Sequence, residues 1–278
     1  MKHVSGWEGL AAALAEPHAL AGAVLTIGMF DGLHRGHQRI LSAAARIARS
    51  AGLLRVHVGF EPHPDLLIQG RAPLALMADD ELSLRMAAAG VEVWVNLNFT
   101  PELRETPWEV FVERLVDVTR ARSIVLSPES ALGRDRSGTL SRIRGWGASH
   151  GVQVHPVAEA MAGGAPIRST RIREAIARGD LVEAARLLGR PYALTGVLKR
   201  GTVSLERGTV ALPPSGMYRA RIGAVGRLGG RLPLHGRLAS IHLAADLDRC
   251  ELLHPGLGLR PFEGGPVRLA LLGSGDNP

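Results

Sequence analysis

Residues 24–49 read VLTIGMFDGLHRGHQRILSAAARIAR, and the reading of this stretch decides the fold. Val24 to Ile27 is a short unbroken apolar run, the pattern of a strand buried on both faces. Gly28 ends it. Beyond the turn that runs to His37, an amphipathic helix carries Ile40, Leu41, Ala44, Ile47 and Ala48 on one face. A strand, a glycine turn and a helix start together present first-turn N–H groups and the positive end of the helix dipole, which attract phosphate. His34 and His37 are three apart, so both imidazoles are expected on one side of that first turn. Gly36 between them leaves the backbone bare enough for a bulky ligand to approach.

A His-x-x-His pair is also often a plain surface pair, or two zinc ligands that need a third. No Glu follows His34 in the manner of a metalloprotease helix, which argues against zinc. Gly28, Phe30, Asp31, His34, Gly36 and His37 together resemble the G-x-F-D-x-x-H-x-G-H signature of the HxGH nucleotidyltransferases. Within that superfamily the stretch is most similar to the bacterial FAD synthetase family, the bifunctional riboflavin kinase/FMN adenylyltransferases.

Composition sets outer limits. The chain has 278 residues, 46% of them hydrophobic, enough for one large or two ordinary domains with real cores. No run of 18 apolar residues exists, so no membrane span is expected. The early GLAAALA stretch is flanked by Glu8 and Glu16, which argues against a signal peptide. The single Cys250 cannot form an internal disulfide and suits a reducing cytoplasm. The net charge is +7, but the basic residues are scattered, and aromatics make up only 4%. That pattern favours small polyanionic substrates over nucleic acid. Oligomeric state is not legible.

The rest of the chain alternates. A short Ala-rich helix is expected within residues 1–22, a second strand over Leu53–Phe60, a helix over Asp79–Ala89 and a third strand over Val91–Leu97. Thr106-Pro107-Trp108-Glu109 fits a capping box with proline in the first helical position, opening a helix to Thr119 with Val110, Phe111, Leu115 and Val118 in the core. Ser123–Leu126 and Val152–Val157 complete five strands. Such alternation calls for a doubly wound parallel sheet, an α/β fold, with ligands beyond the carboxyl ends of its strands. The Gly28 turn, the stiff Pro62-His63-Pro64 loop and the Ser127–Gly138 loop all lie at such ends and are expected to converge. Near residue 170, Ser169 or Thr170 can cap a helix whose first turn displays Arg171 and Arg173, a second anion site. From Thr195 onward short apolar runs split by Gly and Pro predict a small β-barrel.

The resemblance adds roles to these residues. It covers residues 23–192 and continues through Phe60-Glu61-Pro62-His63-Pro64, the segment Ile167 to Arg173, and Leu188-Gly189-Arg190-Pro191-Tyr192. It implies a nucleotidyltransferase domain over 1–186 and a riboflavin kinase-like barrel over 187–278. His34 and His37 would be catalytic, donating to the α-phosphate and bridging oxygens of ATP. Gly28, Phe30, Asp31 and Gly36 would form the nucleotide loop, with Asp31 a turn residue rather than a base. Ser169, Thr170 and Arg173 would hold the β- and γ-phosphates. His63 and Glu129 would face the acceptor, FMN, and Mg2+ would accompany the ATP. Two departures stand out. The family's aromatic G-x-D-F-x-F-G loop is here Ser127-Pro128-Glu129-Ser130-Ala131-Leu132-Gly133. In the barrel, the P-T-x-N segment is missing and Ser240 stands where the kinase carries its Glu, so phosphorylation of riboflavin is not expected. Another phosphorylated acceptor, or nucleotide binding without turnover, remains open at this point.

Overall fold

The computed structural model describes residues 1–15, 21–205, 209–224, 237–244, 249–252 and 264–274. The chain forms two compact units, and neither is contiguous. One comprises Met1–Phe30, Gly36–Pro73 and Met86–Ala160; the other comprises Asp31–Arg35, Leu74–Arg85 and Met161–Pro278.

The first unit is built on a six-stranded, all-parallel sheet in the order Lys2–Ser5, Val93–Asn98, Leu54–Glu61, Ala23–Ile27, Ala121–Leu126, Gln153–Pro156. Every residue of Ala23–Ile27 is buried, as the unbroken apolar run requires of a central strand. Alternate side chains serve opposite faces. Leu25, Val56 and Ile124 pack with Leu10, Phe111 and Ile143, whereas Val24 and Val125 pack with Ala43, Ala44 and Ala48 of the helix Arg35–Ala51. Both faces are therefore covered, and the small alanines let that helix lie close to the sheet. The chain runs outward from Ala23–Ile27 through the next two strands, then returns to its other side for Ala121–Leu126. The reversal of strand order falls at the Gly28 turn, where open α/β sheets form their ligand crevice.

Several expectations need correction. Lys2–Ser5 is a parallel edge strand that precedes a helix at Gly6–Ala13, so five expected strands become six. Its four residues, only Val4 of them half-buried, are too few to show a period. The remainder of the expected 1–22 helix, residues 16–20, lies outside the described residues. The helix Trp108–Thr119 is present, but Pro107 is its N-cap and no side chain caps it. Thr106 instead donates its hydroxyl to the Glu102 carbonyl, and Val110 is 52% exposed rather than core.

The second unit contains the helices Ser169–Ala177 and Leu181–Leu188 and a closed barrel of six antiparallel strands. Around the barrel these run Ala193–Lys199, Thr202–Leu205, Arg249–Leu252, Arg237–Ala244, Gly216–Ala224 and Pro266–Ser274. Closure leaves no free sheet edge. Leu194, Ile222, Ile241, Leu243, Val267 and Leu269 fill its interior. Cys250 is fully buried there, and burial pushes its thiol up to about 12. Among the described residues no helix is long and apolar enough to cross a membrane.

Candidate active site

In the first unit the carboxyl ends of the strands open into a cleft of about 650 Å³. Its walls come from the turn after Ala23–Ile27, the start of the helix behind it, the Pro-His-Pro segment and the Ser127–Arg136 loop, so the expected convergence is met. Gly28, with φ of 144°, turns the chain out of the sheet. A Cβ there would meet the Phe30 ring only at ordinary contact, 3.5 Å, so it is the backbone angle rather than space that favours glycine. Phe30 lies between two imidazoles. His37 stacks on it at 4.4 Å with 7° between the planes, and His57 approaches from the sheet side at 4.3 Å.

His57 is a residue that sequence reasoning missed. It is 1% exposed, its Nδ1 lies 3.0 Å from the Thr26 hydroxyl, and burial lowers its pKa to about 3. A neutral, hydrogen-bonded imidazole under the Phe30 ring supports the ring that supports His37. One histidine inside an apolar strand has no periodic signature, and only the register of Leu54–Glu61 against Ala23–Ile27, which sets His57 opposite Thr26, reveals it.

Part of the cleft lining is aromatic. Phe60, Phe99 and Phe111 line it, with Phe60 5.7 Å from Phe99 and 6.2 Å from Phe111. The Ser127–Gly133 loop also lines the cleft but contributes no aromatics, so the flat surfaces come from other elements. Exposed Glu129 and Arg136 also line it, and Arg136 donates to the Glu129 carbonyl at 3.5 Å. Gly133 and Gly138 are required by packing. A Cβ on Gly133 would meet the Trp108 backbone at 2.4 Å, and one on Gly138 would meet the Trp108 Cβ at 2.5 Å. His63 caps the short helix Pro64–Gln69, its Nδ1 accepting from the Asp65 N–H at 3.1 Å. Pro64 and Ile68 of that helix reach the cleft.

The second unit brings together Asp31, Ser169 and Arg173. Asp31 accepts the Leu76 N–H at 2.8 Å and pairs with the Arg173 guanidinium, and the Ser169 hydroxyl lies 3.5 Å from the Asp31 carbonyl. Arg173 also donates to the Leu74 carbonyl at 2.6 Å. The helix bearing these residues is not capped as expected: Arg168 is its N-cap and makes no side-chain cap, Ser169 is its first residue, and Thr170 is exposed. Arg171, expected on display, is spent on the Ala162 and Ala165 carbonyls and on Glu183. His34 is 5% exposed, and burial together with the nearby Arg190 charge lowers its pKa to about 4. It is a neutral hydrogen-bond donor at pH 7.

A doubly wound parallel sheet with a glycine turn, an HxGH helix start and a cleft at its point of strand reversal defines a nucleotide-binding α/β protein of the HxGH type. The FAD synthetase family model matches residues 16–171, more than half of the chain, and the chain belongs to the FAD synthetase family. It is 30% identical over 231 residues to a FAD synthetase of Listeria monocytogenes, a match spanning 81% of this chain and 93% of that protein. A bifunctional riboflavin kinase/FMN adenylyltransferase of the same organism is 29% identical over 180 residues, 64% of this chain and 57% of the relative. The chain thus aligns with little more than half of that bifunctional protein. A solved structure titled a macrolide-efflux protein from Streptococcus pneumoniae shares the fold, with a TM-score of 0.81 over 98% of this chain and 89% of that one at 20% identity.

Proposed function

We propose that this chain is an FMN adenylyltransferase that joins AMP from ATP to FMN, giving FAD and pyrophosphate. The observation that carries the reading is the cleft at the strand reversal, which is lined both by the Gly28 turn and His37 and by the Phe60, Phe99 and Phe111 rings. Phosphate chemistry and a flat ring system need those two kinds of lining. A flavin's fused ring can lie against aromatic faces, where stacked pairs contribute about 0.5–1.5 kcal/mol beyond burial.

In the reaction an FMN phosphate oxygen attacks the α-phosphorus of ATP. The bond to the bridging oxygen breaks, and pyrophosphate leaves with the electron pair. The nucleophile is already an anion, so no protein base is needed. Catalysis comes from alignment and from donors aimed at the charge that builds on phosphorus. His34, a neutral imidazole, and His37 supply such donors, and Ser169, Thr170 and Arg173 hold the leaving pyrophosphate. Gly28, Phe30, Asp31 and Gly36 shape the nucleotide loop, while His63 and Glu129 stand on the acceptor side. Among the described residues no three His, Cys, Asp or Glu side chains gather into a metal cage. Mg2+ would be held by the phosphates and its own waters, and no step above is assigned to it.

Riboflavin kinase activity belongs to a different site and is absent from this reading. Ser240 and His242 lie two apart on the strand Arg237–Ala244, and by the family resemblance Ser240 takes the place of the kinase's Glu. We assign the protein to the cytoplasm, whose reducing conditions suit the lone, buried Cys250. Incubation with ATP, CTP, FMN and riboflavin, followed by separation of products, tests the whole reading: FAD alone is expected. A cytidylylated product, or nucleotide retained without turnover, would replace it.

A further inference from the structure

The turn that carries His34 is gripped by the unit that contains the barrel. Asp31–Arg35 belongs to that unit, as does Leu74–Arg85, although both segments interrupt the parallel-sheet half of the sequence. Besides the Arg173 pair with Asp31, the turn is held through Leu76 and Arg190. The Leu76 N–H bonds the Asp31 carboxylate at 2.8 Å, Arg190 Nη2 donates to the Gly32 carbonyl at 2.7 Å, and Gly32, with φ of 67°, is packed so tightly that a Cβ would meet Leu76 Cβ at 2.7 Å. The grip is tied to the barrel in turn. Ala75 donates to Thr209 and accepts from Ala211, each bond under 3 Å, forming a parallel bridge beside Val210. Glu81 is 2% exposed and receives Arg268, from the barrel strand Pro266–Ser274, at 3.0 Å and Arg85 at 2.7 Å. Burial alone would raise the Glu81 carboxyl, but Arg268 and Arg85 outweigh it and hold it below its usual range. Burial and the charges of Arg85 and Arg268 bring Arg190 down to about 9, so it is still charged at pH 7.

We infer that the barrel persists as a clamp on the Asp31–Arg35 turn, with Arg190 and the Glu81–Arg268 pair as positioning residues for His34. A buried carboxylate that bonds two guanidiniums is held in place, because removing either bond leaves a buried charged group without that partner. The segment it anchors therefore has little freedom, and neither does the turn bonded to Leu76. No catalysis within the barrel is needed to explain its retention. The catalytic consequence rests on the adenylyl-transfer reading; the mechanical one does not.

Two substitutions in the full-length chain test this, Arg268→Leu and Arg190→Lys, with Arg268→Lys as the conservative rescue. Hydrogen exchange is read on peptides covering Asp31–Arg35 and, as a control, Ala121–Leu126; steady-state FAD formation is read alongside. Arg190→Lys keeps the charge but loses the forked reach to the Gly32 carbonyl. Both changes are expected to speed exchange at Asp31–Arg35 by about tenfold, a shift of about 1.4 kcal/mol in local opening. The control peptide should not change. The kcat should fall by a similar factor with the KM for ATP within about twofold, and Arg268→Lys should restore most of it. Wild-type exchange at Asp31–Arg35 in Arg190→Lys would overturn the clamp even if Arg268→Leu fails to fold. A loss confined to KM would overturn the positioning role. If the wild-type chain makes no FAD, the adenylyl-transfer reading fails and the exchange comparison still decides the clamp.

Discussion

Two histidines, His57 and His34, are buried, and both are neutral where an unburied imidazole would begin to titrate. Desolvation lowers His57 from 6.5 to about 3, and His34, with Arg190 beside it, from 6.5 to about 4. Below pH 6.5 the unfolded chain takes up protons that the folded chain refuses. The stability these groups contribute is therefore complete above about pH 6.5, declines as pH falls toward 4, and declines further toward 3. Urea titrations across that range should show it, and His57→Gln, which does not titrate there, should make the decline shallower; a flat profile would place both histidines elsewhere. At neutral pH the kcat should show no loss from protonation of His34. His37 and Arg173 separate by role. His37→Ala should lower kcat by about a hundredfold with little change in ATP affinity, because its contact strengthens as charge builds on phosphorus. Arg173→Ala should weaken ATP binding by about tenfold, and it should cost about 1–3 kcal/mol of stability by removing the guanidinium that pairs with Asp31. Calorimetry with ATP and kinetics on the two variants separate these outcomes, and equal losses in both would contradict the division.

At the scale of elements, what the sequence reveals depends on how local each signal is. The strand Ala23–Ile27 and the helix Arg35–Ala51 are legible because burial on both faces and a helical period each write a pattern within a few residues. The edge strand Lys2–Ser5 writes none. The capping box at Thr106 fails for a reason outside its own window: the Thr106 carbonyl accepts the Arg134 N–H at 2.9 Å, tying that corner to the hairpin loop. The pairing of Asp31 with Arg173 spans 142 residues and likewise leaves no local trace. The aromatic wall was legible only in part, since the Ser127–Gly133 loop lost its rings while Phe60, Phe99 and Phe111 arrive from three other elements. Gly133 and Gly138, in contrast, could be picked out by motif and are explained by Trp108. Gly133→Ala, strained at φ of 68° and clashing with the Trp108 backbone, should cost about 1–3 kcal/mol and disturb the cleft wall it lines. Thermal unfolding measures the first effect and the KM for FMN the second; wild-type values for both would show that the hairpin yields without penalty.

For the whole molecule, the linear order of the chain and its compact units do not coincide. Residues 31–35 and 74–85 belong with the barrel's unit, while the sheet's unit takes the rest of the first 160 residues. A net charge of +7, carried by scattered arginines, suits the anionic phosphates of the proposed substrates. The barrel has a closed fold and an apolar interior, and on the proposed reading Ser240 replaces the kinase Glu. Riboflavin with ATP and Mg2+ should accordingly yield no FMN at an enzymatic rate, which chromatography of the flavins would show; steady FMN production would return a kinase role to the barrel. The central claim is the path of the adenylyl group, and labelled ATP follows it most directly. With FMN and the full-length chain, label in the α-phosphate should appear in FAD and label in the γ-phosphate in pyrophosphate, in equal amounts and both dependent on His37. Label from the α-phosphate that never reaches a flavin, or γ-label transferred to one, would contradict it.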